Sequence, residues 1–78
     1  VKMVTVEPIL KFNLLRMMNW IDMLRGTTKR LIIYVGYDNH NCGLPEPKLN
    51  ETLDLVRVLK DHEFEVRTKT IKKAWYEK

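Results

Sequence analysis

The chain has 78 residues, 45% of them hydrophobic and 31% charged, which predicts one globular domain and excludes a disordered chain. Its single cysteine excludes an internal disulfide framework and a cysteine-based zinc cluster, and it suits a reducing compartment, so we expect a cytoplasmic protein. The net charge of +4 hides a pattern, since residues 1–37 sum to +4, residues 38–65 to −4 and residues 66–78 to +4. Such a chain neutralises part of its own charge when it folds.

The first two predicted elements are a short strand and a long helix. Lys2 to Val6 is rich in β-branched residues and predicts the strand, and Pro8 suits the first turn of the helix that follows. Gly26 suits the residue that ends this helix. The apolar positions that follow helical spacing predict its buried stripe, and they are Leu10, Leu14, Met17, Ile21 and Leu24.

The first predicted helix is also apolar outside that stripe, which normally means burial on more than one side. The residues that we assign to an interface are Phe12, Leu15, Met18 and Met23. A helix wedged inside one chain would bury them as well, but 78 residues leave little material for this arrangement. We therefore expect a homo-oligomer, most simply a two-fold dimer.

The second half of the chain predicts two strands and a helix. Leu31 to Tyr37 is continuously apolar, as in central parallel strands, and a loop rich in Asn, Gly and Pro follows it. An amphipathic helix is predicted over about Lys48 to Asp61, and an edge strand that alternates in polarity over Phe64 to Thr70. Asp61 or His62 is expected to take the unusual backbone angle between them.

These elements predict an α/β fold, a small β-α-β-α-β domain of two or three layers with a mostly parallel three-stranded sheet. If both crossovers continue in one direction, both helices cover the same face of the sheet and the other face is bare. A reversal of strand order would instead put one helix on each face. The sequence does not choose between these arrangements. We find no run of about 18 apolar residues and no signal-peptide pattern, so we expect no membrane partner.

Chemistry-bearing side chains concentrate in the loop GYDNHNCG after the second predicted strand, where open α/β sheets bind ligands. Asp38 and His40 suit acid, base or metal-ligand roles, and Cys42 suits a nucleophile. However, Asp, Asn and Gly also form ordinary turns, and the loop has no phosphate-binding pattern. His62 suits the end of a helix better than a metal site. We therefore expect no catalytic residue, cofactor or metal and identify no small-molecule substrate; a minimal enzyme at this loop is the third hypothesis.

The best functional candidate in the sequence is the basic segment RTKTIKKAWYEK, where cations beside aromatics suit phosphate contact and base stacking. The residues that we predict to contact nucleic acid are Lys29, Arg30, Arg67, Lys69, Lys72, Lys73, Trp75 and Tyr76. Lysines on an edge strand also serve to prevent aggregation. The leading hypothesis is a small basic non-enzymatic accessory protein that contacts nucleic acid or a nucleoprotein assembly. The alternative is a protein-interaction or inhibitor module that acts through the Met/Phe-rich first helix.

Overall fold

The computed structural model describes residues 2–26, 30–38 and 42–78, and its elements follow the predicted β-α-β-α-β order. Three parallel strands form one sheet in the order β1-β2-β3, which confirms the α/β prediction. The elements are β1 (Lys2–Val6), α1 (Leu14–Arg25), β2 (Leu31–Val35), α2 (Leu49–Asp61) and β3 (Glu65–Thr68).

β2 is the central strand and is hydrogen-bonded on both edges. Ile32 pairs with Met3 of β1 on one side and with Glu65 of β3 on the other. The ladder continues beyond the strand ends, because the Gly36 N–H donates to the Val6 carbonyl and the Tyr37 N–H donates to the Thr70 carbonyl. A continuously apolar strand suits this place, since four of its five residues are buried.

Both helices lie on one face of the sheet, so the domain has two layers. Alternate residues of β2, namely Leu31, Ile33 and Val35, point to this face and enter the core. The helices complete the same cluster with Met18, Ile21, Leu55 and Leu59. The consecutive strand order decides between the two arrangements that the sequence left open, since both crossovers return along the same side.

The opposite face of the sheet, called here the open face, carries Met3 and Thr5 of β1, Ile32 and Tyr34 of β2, and Glu65 and Arg67 of β3. Met3, Thr5 and Arg67 are exposed, so no helix of the described residues covers this face. Ile32 lies between Met3 and Glu65 and is nevertheless buried. The open face therefore combines a buried apolar centre with a charged border.

α1 begins later than predicted, at Leu14, with Asn13 as its N-cap. The Asn13 side-chain oxygen accepts a hydrogen bond from the Arg16 N–H at 3.1 Å. Residues 7–13 are irregular because other parts of the chain bind their backbone: the Ile9 N–H donates to the Gly36 carbonyl and the Lys11 N–H to that of Pro45. The placement of Pro8 in the first helical turn was therefore wrong.

The side of α1 that enters the core differs in part from the predicted stripe. Met18 and Ile21 are buried, whereas Leu10, the first residue of the predicted stripe, lies before the helix and is exposed. Met18, which we assigned to an interface, is 9% exposed and belongs to the core cluster of the folded chain. Phe12 is half-buried and packs against the core. Leu15 and Met23 are 71% and 79% exposed, so these two side chains are accessible, as the predicted interface requires.

The turn from α2 to β3 also differs from its prediction. Glu63, rather than Asp61 or His62, takes the positive φ of 65°, and the Phe64 N–H then donates to the Leu59 carbonyl. α1 has 12 residues and α2 has 13, and no helix within the described ranges is long and apolar enough to cross a membrane.

Gly36 lies at the end of the ladder where a side chain has little room. A Cβ atom there would stand 3.2 Å from the Lys69 carbonyl oxygen and 3.3 Å from the Lys69 Cβ. Lys69 cannot retreat easily, because its N–H donates to the Val35 carbonyl at 2.9 Å.

We expect Gly36→Ala to lower the free energy of unfolding by about 1–3 kcal/mol, as overpacked sites do. Urea denaturation measures this loss. Thr5→Ala is the control, because Thr5 is exposed on the open face. An equal loss in both variants would show that crowding at Lys69 is not the cause.

Candidate nucleic-acid interface

The predicted nucleic-acid residues fall in two places. Arg30 and Arg67 border the open face, next to β2 and within β3. Lys72, Lys73 and the aromatic pair belong to residues 69–78, which follow β3 and are called here the tail. Lys69 joins the two groups at the end of β3, and Lys29 lies outside the described residues. The structure therefore brings Arg30 and Arg67 together and separates them from the aromatic part of the prediction.

Arg30 and Arg67 share one carboxylate. Glu65 Oε1 lies 2.6 Å from an Arg30 guanidinium nitrogen, and Glu65 Oε2 lies 2.8 Å from an Arg67 guanidinium nitrogen. The Arg30 hydrogen bond, with the Arg67 bond and both positive charges behind it, holds the pKa of Glu65 below its ordinary value. The two arginine side chains are still 55% and 52% exposed, so Glu65 orients them without burying them.

Arg67 also contacts the aromatic residue of the open face. Its Nη1 donates to the Tyr34 hydroxyl at 3.1 Å, and its guanidinium carbon lies 5.8 Å from the centre of the Tyr34 ring. A guanidinium held by a carboxylate and a phenol has a fixed plane. Such a plane is a surface on which a nucleic-acid base stacks or a phosphate binds.

The tail aromatics hold the loop before α2. The Trp75 indole N–H donates to the Leu44 carbonyl at 2.7 Å, and the Tyr76 hydroxyl donates to the Glu46 carbonyl at 2.7 Å. The Trp75 backbone N–H also donates to the buried Glu46 carboxylate. The polar atoms of both rings are thus engaged inside the protein, although Trp75 remains 57% exposed.

The N-terminus of α2 is not an open anion site. Glu77 Oε2 accepts hydrogen bonds from the N–H groups of Leu49 at 3.0 Å and Ala74 at 2.6 Å. The bond from Leu49, followed by that from Ala74, lowers the pKa of Glu77. A carboxylate of the tail therefore occupies the position where a phosphate would bind at this helix end.

The lysines of the tail differ in their exposure. Lys69 and Lys73 are exposed, Lys72 is half-buried, and the Lys73 ammonium donates to the Lys78 carbonyl. Lys11 joins this region from the other end of the chain, with its ammonium 5.8 Å from the centre of the Tyr76 ring. Sequence reasoning missed Lys11 because only the backbone bond from Lys11 to Pro45 brings it here.

The loop after β2 shows turn geometry where it is described. The buried Asp38 carboxylate accepts a hydrogen bond from the Cys42 N–H at 3.0 Å, and its charge raises the pKa of the Cys42 thiol. A raised pKa leaves less thiolate at neutral pH, the opposite of activation. His40 lies outside the described residues. Within residues 2–26, 30–38 and 42–78, no group of three His, Cys, Asp or Glu could hold a metal.

The Tyr37 side chain connects this loop to α2. Its buried hydroxyl donates to the Pro47 carbonyl at 3.1 Å and, because a phenol has a single hydrogen, accepts from the Thr52 hydroxyl at 2.6 Å. Burial raises the pKa of the Tyr37 phenol. This contact connects the end of β2 to α2 and completes the support of the loop that the tail covers.

The Glu77 contacts predict a pH dependence. Because the folded pKa of Glu77 is lowered, its bonds stabilise the fold above the unfolded pKa and are lost as the pH falls through the folded pKa. We expect Glu77→Gln to be less stable at about pH 7 and to lose less stability than the wild type between about pH 6 and about pH 3. Urea denaturation across this range measures both effects.

The control for Glu77 is Glu63→Gln, since the exposed Glu63 carboxylate makes no hydrogen bond to another described residue. It should keep the pH profile of the wild type. A Glu77→Gln profile that parallels the wild type would contradict the assigned role of Glu77.

Comparison with known proteins finds no relative of this chain. No family model, no curated protein and no solved structure matches the chain. Any statement about function therefore depends on the surfaces described here, chiefly the paired arginines of the open face.

Proposed function

We propose that the protein is a small basic accessory protein that contacts nucleic acid or a nucleoprotein assembly through its open face. The observation that carries this proposal is the pair Arg30 and Arg67, held in place by Glu65 and more than half exposed on a sheet face without a helix. Lys69 continues the β3 row toward the lysines of the tail. We call Arg30, Tyr34, Arg67 and Lys69 the basic sheet face.

The guanidinium groups have donors to spare for a phosphate. Arg30 uses Nε and Nη2 toward Glu65, so its Nη1 is directed at no other described residue. A phosphate that binds there gains a charge-assisted hydrogen bond without displacing Glu65. Because Glu65 restricts both arginines, the side-chain entropy lost on binding is smaller than for free arginines.

The proposed contact is sequence-tolerant. It consists of phosphate binding by Arg30 and Lys69, with one base stacked on the Arg67 guanidinium plane beside Tyr34. A flat face with one aromatic suits a single strand, whose bases are free to stack, better than a paired duplex. The tail contributes charge through Lys72 and Lys73, while Trp75 and Tyr76 support the fold.

The test is fluorescence anisotropy with a labelled oligothymidine of about 20 nucleotides at several salt concentrations. We expect Arg67→Gln with Lys69→Gln to weaken binding by at least about tenfold and to flatten the salt dependence, its slope falling by about 0.7 for each phosphate that the variant no longer binds. A duplex of the same length should bind more weakly than the single strand.

The matched control is Arg57→Gln with Lys60→Gln on α2, which removes the same charge. Arg57 is ion-paired with Asp54 and Asp61, as Arg67 is with Glu65, but it belongs to the helical layer. It should bind like the wild type. Equal losses in both double variants, or a wild type that does not bind at low salt, would remove the proposal.

The second candidate is protein interaction through α1, including association of the chain with itself. The specific observation is that Leu15 and Met23, two large apolar side chains of one helix, are more than two thirds exposed. Each gains roughly 1.5–3 kcal/mol when it is fully buried. Two such residues offset only part of the entropy of association.

Light scattering tests self-association. We expect the wild type to give a mass above 9.3 kDa and Met23→Ser to shift it towards the monomer without loss of structure, because Met23 contributes nothing to the core. Circular dichroism checks the fold of the variant. A wild type that stays monomeric over a wide concentration range would refute self-association.

A further inference from the structure

The two helices of the helical layer are separated by a groove. It has a volume of about 550 Å³, within the range of about 300–1,000 Å³ that is common for binding sites. Its apolar lining comes from Leu14, Leu15 and Met18 of α1 and from Val58 of α2. A smaller hollow of about 160 Å³ continues past Phe12 and Leu14 along the N-terminal half of α2.

The apolar lining that α1 supplies at Leu14 and Leu15 is accessible. Leu15 is 71% exposed and Leu14 is 37% exposed, so the protein leaves apolar surface in contact with water at this place. Val58 is half-buried across the groove. Apolar side chains of a binding partner would cover the apolar surface that α1 and α2 leave exposed here.

The charged groups at the groove are acidic, although the whole chain carries +4. The carboxylates are those of Asp22 in the groove and of Glu51 and Asp54 in the smaller hollow; His62 also lines the groove, and no lysine or arginine of the described residues lines either hollow. Asp22 forms no salt bridge with another described residue. Asp54 lies 3.6 Å from Arg57, but both side chains are mostly exposed, so this pair is weak.

We infer that this groove, called here the acidic groove, binds an amphipathic helix of a partner protein that has leucine-like residues on one side and lysine or arginine beside them. The inference rests on the second candidate function, protein interaction through α1. The apolar side of the partner would cover Leu15, and its cations would pair with Asp22 and Asp54. A cleft between two helices is the shape that receives a third helix.

A second copy of the chain fits the acidic groove less well. Across a two-fold axis the same patch faces itself, so the acidic patch of Asp22, Glu51 and Asp54 would face a second acidic patch. Like charges brought together in this way oppose association. A partner with basic flanks turns the same three carboxylates into attractive contacts, and charge complementarity therefore selects this occupant.

The probes are two synthetic peptides of about 18 residues, long enough to form helix. Both carry leucine at helical spacing, one with lysine and the other with glutamate at the remaining positions. Titration calorimetry with the full chain measures their affinities. We expect the Leu/Lys peptide to bind and the Leu/Glu peptide to bind at least about a hundredfold more weakly, because its charges repel the rim.

Three variants locate the binding. Leu15→Ser and the pair Asp22→Asn with Asp54→Asn should each weaken the Leu/Lys peptide by about tenfold, which is 1.4 kcal/mol. Leu53→Ser is the matched control, because Leu53 is an exposed apolar residue of α2 that lines neither hollow. It should bind the peptide like the wild type. Leu15, Asp22 and Asp54 are all exposed, so these substitutions should leave the fold intact.

The other outcomes are separable. Loss of binding in Met23→Ser but not in Leu15→Ser would overturn the acidic groove as the site while leaving protein interaction through α1 standing. Equal affinity for both peptides would overturn the charge argument. A Leu15→Ser variant that turns an oligomer into a monomer would assign the groove to a second copy. Binding of neither peptide, with a monomeric wild type, would overturn the inference and the second candidate together.

Discussion

The parallel pairing of β2 with both neighbours decides the rest of this structure. Parallel strands cannot be joined by a tight turn, so each connection must run back from the carboxyl end of one strand to the amino end of the next. With the strands in consecutive order, both crossovers return along one face. That face receives α1 and α2 and holds the core, and the other receives neither helix. The basic sheet face and the acidic groove are both consequences of this one arrangement.

The basic sheet face and the acidic groove also separate the charges of the chain. Arg30 and Arg67 stand on the open face, while the acidic middle of the sequence supplies α2 and its side of the groove. The two proposed functions therefore use opposite sides of a thin domain and need not compete for the same atoms. This separation of the two surfaces suits an accessory protein that holds a nucleic acid on one side and a basic partner protein on the other.

Regular elements were the predictable part of the structure, because they depend on local patterns. The apolar run of β2 and the amphipathic pattern of α2 located these two elements to within a few residues, and the β-α-β-α-β order along the chain left two layer arrangements. The failures came from long-range contacts. Ile9 and Lys11 bond to Gly36 and Pro45, which no periodicity reveals, and this removed the first turn of the predicted α1. Met18, assigned to an interface from the sequence, lies in the core cluster of the folded chain.

The sequence predicted which residue types form the candidate site, but not which of these residues contact each other. Arg30 and Arg67 are 37 positions apart and meet only because Glu65 lies between them in the folded sheet. The sequence showed Trp75 and Tyr76 as aromatics beside cations, yet their polar atoms bind the backbone of the loop before α2. Whether an aromatic ring is free to stack on a base or instead supports the fold depends on its exposure and its hydrogen bonds. Both are set by the folded structure.

The strand register has a consequence for how the chain reaches this fold. Met3 pairs with Ile32 and Ile32 pairs with Glu65, so the sheet joins residues 29 and 33 positions apart and contains no hairpin. Each pairing must close a loop of that length before any ladder bond compensates for the lost entropy. Long-range pairing of this kind slows folding relative to a helical chain of the same size. Until β2 is enclosed, its apolar run is exposed to other chains.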